Sequence, residues 1–189
     1  SQLAQAGQPK SCKECHNAEK GLNLSAALHG FHANYLTDRG AEACLSCHPG
    51  SGSFTRFFRG IHKEIGMDCV SCHGSLEDHA LGLLLAEKAA GRKSADRLMR
   101  HLRPSAVENP EEITPRRPWV SQPDCLGCHA DFSPPETDEH DINTRTASED
   151  ELYRFRTGEA GIMCAGCHGS PHAIYPATNI FGNDRDNLI

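Results

Sequence analysis

The stretch CAGCHGSPHAIYP, residues 164–176, sets two cysteines three positions apart, a histidine directly after the second, and another histidine four residues on. The unit formed by Cys164, Cys167 and His168 recurs as CKECH at 12–16, CLSCH at 44–48, CVSCH at 69–73 and CLGCH at 125–129. The cysteines of the chain are Cys12, Cys15, Cys44, Cys47, Cys69, Cys72, Cys125, Cys128, Cys164 and Cys167, so five CxxC pairs consume all ten. Each pair is followed at once by a histidine: His16, His48, His73, His129 and His168. Histidine makes up 12 of 189 residues, so five such placements in five would arise by chance on the order of once in a million.

The order C-x-x-C-H is the signature of covalent c-type haem attachment. On a short helical turn, residues i and i+3 share a face and i+4 lies beside it. Two thiols can then bond the two vinyl edges of one porphyrin while the histidine reaches its iron. The expectation is five haem c groups, with the ten cysteines as anchors and the five motif histidines as proximal iron ligands. Structural zinc and a disulfide framework also use even cysteine counts. Tetrahedral zinc would take two pairs per ion and strand the fifth, and neither alternative explains a histidine after every pair. A thioredoxin-like redox motif needs one pair in a βαβ setting.

Five haems in 189 residues leave about 38 residues for each, a ratio at which porphyrin supplies much of the apolar core and the polypeptide wraps it. Low secondary-structure content follows, agreeing with 17 Gly, 11 Pro and only 6% aromatic residues. The fold class expected is mostly irregular and α-helical, a single domain over residues 1–189 wrapped around a chain of haems. Successive first cysteines lie 32, 25, 56 and 39 residues apart, so no fixed repeat divides the chain into modules. Turn-rich stretches occupy 48–53, 108–118 and 131–141. One strongly helical segment runs from Asp78, a candidate N-cap, to Pro104, with Leu81, Leu84 and Leu85 on one face and Ala95, Leu98, Met99 and Leu102 repeating the pattern. Gly91 and Ser94 divide it into two helices, read as a lid over haem faces, with a helical hairpin that touches no haem as the alternative. A shorter helix is expected from Ser25 to Leu36.

The formal charge is −6, and two propionates against one net positive ferric centre bring the oxidised protein to about −11. Nucleic acid is therefore excluded as a ligand class, and redox partners with basic patches are expected. No window approaches the 18 apolar residues of a membrane span. Covalent haem c is made outside the cytoplasm, and the chain starts at Ser1 without Met or an apolar leader. The expectation is an exported, processed protein, periplasmic or extracellular.

RGIHKEIGMDCVSCHG (59–74), CHGSLEDHALGLL (72–84) and YRFRTGEAGIMCAGCHGSPHAIYP (153–176) resemble segments of multihaem c-type cytochromes of metal-respiring and related anaerobic bacteria, over roughly Ala27 to Pro176. In such proteins a histidine shortly before a motif, or four to six residues after one, ligates the far side of a haem. The resemblance implies His62, His79 and His172 as distal ligands, and His29 and His32, spaced i, i+3, as distal ligands of two neighbouring haems. His101 and His140 are the other histidines, read as surface residues that could replace one of the five, and Met67, Met99 and Met163 are alternative axial ligands. His172 follows Pro171 so closely after His168 that it is expected to ligate a neighbouring haem.

Bis-histidine iron has no open coordination position, which leaves outer-sphere electron transfer rather than catalysis as the function. Pentahaem nitrite reductases are similar in haem count, but they carry CxxCK at the catalytic haem and are much larger, whereas every motif here ends in histidine. The partners expected are redox proteins or further copies of the chain. The resemblance also admits a homopolymeric filament whose haems form one conductor.

Overall fold

The computed structural model describes residues 21–48, 62, 65–118, 120–129, 155–157 and 161–163. Among them the architecture is helical and irregular, with no strand beyond an isolated bridge between Thr157 and Met163. This is the low secondary-structure content expected from the composition. Five α-helices follow in order: α1 Leu24–His32, α2 Ala41–Leu45, α3 Cys69–His73, α4 Leu76–Ala89 and α5 Ser94–Met99. Two 3-10 turns, Pro110–Glu112 and Cys125–Gly127, follow among the described residues. The expectations for the first and fifth motifs, for His140 and for His172 lie outside the described residues.

The long helical pattern divides where its glycine predicts. Gly91 has φ +80°, which ends α4 and lets the chain restart as α5. The N-cap is Ser75 rather than Asp78: Ser75 Oγ accepts the Asp78 N–H at 3.1 Å. Asp78 therefore stands inside the first turn, where a carboxylate suits the helix dipole. The expected helix from Ser25 begins at Leu24, capped by the Asn23 side chain. It ends at His32, and irregular turns replace its last predicted residues.

α4 is the centre of the described structure. Its first two turns are buried almost all round, with Leu81 and Leu84 fully covered. α1 packs on one side and α5 on another, and together with Leu22, Leu102 and Ile113 they form a core of small and aliphatic side chains. Burying each leucine contributes roughly 1.5–3 kcal/mol. Gly30 sets the closeness of α1 to α4, since a methyl group there would stand 2.9 Å from Leu84 Cδ1. Polar clips hold both ends of α1. The Asn23 N–H donates to Glu87 Oε2 at 3.1 Å, and Asn34 Nδ2 donates to the Gly30 and Leu98 carbonyls at 2.8 and 3.2 Å. α1 and α4 are thereby a fixed platform for the histidines they carry.

Candidate haem-binding site

The three described CxxCH motifs all form helical turns. CVSCH is α3 itself. In the motifs at 44–48 and 125–129, the motif histidine N–H donates to the carbonyl of the first cysteine, at 2.9 Å from His48 and 2.8 Å from His129. The bond closes one α-turn and stacks cysteine i, cysteine i+3 and histidine i+4 as the attachment chemistry requires. Two of these short turns are held by an aspartate that sequence reasoning passed over. Asp68 accepts from the Val70 and Ser71 N–H groups at 2.9 and 3.2 Å, and Ser71 Oγ accepts in return from the Asp68 N–H at 3.1 Å. Asp124 accepts from the Leu126 N–H at 3.1 Å and pairs with Arg156 Nη2 at 3.3 Å. The legible signal was Asp directly before the first cysteine, an N-cap residue ahead of a helical turn.

Tertiary packing brings the motifs together. The Cys44 thiol hydrogen-bonds Cys69, and Cys72 lies within electrostatic reach of Cys125 and Cys128. Burial first, then these neighbours, pushes the Cys44 and Cys72 thiols up to about 11. None of the six described cysteines is in a disulfide. Among the described residues no group of three or more His, Cys, Asp and Glu is placed to hold a metal ion by itself.

The histidines converge in the same region. Each described motif histidine has one of the expected distal histidines at nearly the same separation. Ring centroids are 6.1 Å apart for His48 and His29, 6.1 Å for His73 and His79, and 5.9 Å for His129 and His62. His29 and His79 also touch, edge to face at 4.7 Å, which joins the first two pairs. Gly74 makes the His73–His79 approach possible: with φ +76° it turns the chain sharply between α3 and α4, which only a residue without Cβ does at little cost.

The ring chemistry suits ligation. His29 Nδ1 donates to the Ser25 carbonyl at 2.8 Å and His32 Nδ1 to the Leu28 carbonyl at 2.9 Å. A carbonyl can only accept, so each ring carries a proton on Nδ1, the tautomer whose neutral form presents the Nε2 lone pair to a metal. Burial lowers the pKa of His29, the hydrogen bond to Ser25 partly opposing it. Burial, with His29 and Arg116 nearby, lowers that of His79 well below the usual value. Both rings are therefore neutral at pH 7, the ligating form. His79 Nδ1 is buried and has no hydrogen-bond partner, a polar atom that the polypeptide alone does not satisfy. His32 contacts the Phe31 ring at 5.3 Å, His101 is exposed, and Met163 is exposed while Met67 and Met99 are half-buried.

These residues fit a c-type haem at each described motif: two thiols on one turn, a histidine at its end and a second imidazole about 6 Å from it, centroid to centroid. Sequence reasoning missed Arg116, which is 7% exposed and whose Nη1 donates to the His73 carbonyl at 2.8 Å. Its position in the turn-rich 108–118 stretch carries no signal of burial.

No protein-family model matches the chain, and no solved structure matches it. The multihaem cytochrome MtrA of Shewanella baltica (strain OS185) is 33% identical over 60 residues, 28% of this chain and 18% of that protein. The chain thus spans under a fifth of the length of that relative, and over the shared residues it is similar to a multihaem cytochrome.

Proposed function

We propose that this protein transfers electrons through five covalently bound c-type haems, in the periplasm or outside the cell. The observation that carries the reading is the common separation of about 6 Å between each described motif histidine and an expected distal histidine. Two imidazoles on opposite sides of one metal, each bonded at about 2 Å, place their ring centroids about 6 Å apart. The pairing that follows is His48 with His29, His73 with His79 and His129 with His62. Haem c supplies a one-electron Fe(III)/Fe(II) couple when bound.

The chain's own residues do the rest. The thiols would anchor each haem, the paired imidazoles would hold its iron and leave no position for small molecules, and α1 and α4 hold His29 and His79 in contact, so that neighbouring centres would lie close. His32 and His172 are left as distal ligands for the remaining two motifs, His172 for a haem other than its own. The partners are redox proteins, and assembly of copies into a filament is a second form of the same function.

Intact mass of the exported protein under denaturing, reducing conditions tests the stoichiometry, with five haems expected and four or fewer refuting it. Carbon monoxide should not bind promptly to the reduced protein; rapid binding would reveal an open iron and favour a reductase. Electron microscopy of the native protein separates monomer from filament.

A further inference from the structure

Among the described residues three charged side chains are buried: Glu77, Asp78 and Arg116, the last two at 1% and 7% exposure. Arg116 is placed by its backbone. Its N–H donates to the Gly82 carbonyl at 2.9 Å, where the chain after Ile113 crosses α4. Gly82 leaves room for the crossing, since a methyl group there would lie 3.2 Å from Arg116 Cδ and from the Thr114 carbonyl oxygen. The guanidinium then reaches the C-terminal end of α3 and donates from Nη1 to the carbonyl of His73 at 2.8 Å. It stands near enough to His79 to disfavour a charge on that ring. Asp78 is its nearby counter-charge and is held in turn by the Ser105 N–H at 2.8 Å.

Burying a guanidinium costs several kcal/mol of desolvation, and a neutral amide could supply a donor to one carbonyl. What arginine adds is a permanent positive charge, little screened by water or salt, beside the two histidines His73 and His79. A ferric centre carries one more positive charge than a ferrous one, so a fixed cation nearby disfavours the ferric state.

Building on the haem reading above, we propose that Arg116 is a positioning and charge-tuning residue for the haem held by Cys69, Cys72 and His73. Its hydrogen bond fixes the end of α3, and its buried charge raises the reduction potential of that haem, with Asp78 acting in the opposite sense.

The test is a spectroelectrochemical titration of the haem-loaded protein, read beside haem content and low-spin absorption. Arg116→Gln should keep both, while one redox component shifts toward the ferric form on the order of tenfold, about 59 mV for one electron. Asp78→Asn, which removes the counter-charge and leaves the guanidinium charged, should move the same component several-fold in the opposite direction. A merely structural role would loosen the fold without opposite shifts. If Arg116→Gln does not accumulate as loaded protein, the direction of the Asp78→Asn shift decides alone. Potentials within twofold of the parent in the variants obtained overturn the proposal. Failure of the haem reading is seen separately, as parent protein without haem absorbance.

Discussion

The seam between α1 and α4 is the part of the fold on which the histidine pairing depends, and a double-mutant cycle at Gly30 and Leu84 tests it. Leu84 is fully buried, and its two terminal carbons lie 2.9 and 3.2 Å from where a Gly30 methyl group would stand. Leu84→Ala opens a cavity facing a residue with no side chain, so neighbours cannot collapse into it. The loss should fall in the upper part of the usual range, about 3–5 kcal/mol. Gly30→Ala alone sets two effects against each other: about 1 kcal/mol gained from helix propensity and about 1–3 kcal/mol lost to overpacking against Leu84 and Leu98. The net is a loss of up to about 2 kcal/mol. In the Leu84→Ala background the clash with Leu84 is gone and the new methyl group partly fills the void, so the same Gly30→Ala change should stabilise. Denaturant unfolding of the haem-loaded protein, followed by far-ultraviolet circular dichroism, measures the cycle. A coupling of about 1–3 kcal/mol is expected, and additivity within about 0.5 kcal/mol would falsify the packing argument.

His79→Ala and His29→Ala should each retain every covalent haem while turning one low-spin centre high-spin; an entirely low-spin spectrum in both would remove them from the ligand set. Ser75→Ala deletes the cap of α4 and should cost about 1 kcal/mol, whereas Ser75→Asp, which restores an acceptor for the Asp78 N–H, should recover most of it in the same unfolding assay. Because burial lowers the folded pKa of His29 and His79 below the unfolded value of 6.5, the unfolded chain takes up protons first as pH falls. Stability is therefore complete above about pH 6.5 and declines from there toward the folded pKa values. Unfolding midpoints at pH 5 and pH 7 should differ in that direction, and equal midpoints would count against neutral, buried rings.

The sequence by itself determined the chemistry and the local turns. CxxCH is a local pattern whose meaning rests on the spacing of one helical turn, so the turn at each described motif was legible without any long-range information. So were the glycine break after α4 and the low content of regular structure, because φ preferences and composition act residue by residue. The N-cap of α4 was misplaced by three residues because Ser75 and Asp78 are both good caps, and only the path of the preceding turn at Gly74 selects the serine. Which histidine faces which motif was not legible. His29 and His48 are 19 positions apart and His62 and His129 are 67 apart, and their meeting depends on how α1 packs against α4 and on where the intervening loops return. Arg116 was hidden for the same reason. Its environment comes from Gly82, His73 and Asp78, and burial of a charge is decided by the packing of distant segments, which no pattern within the arginine's own stretch encodes.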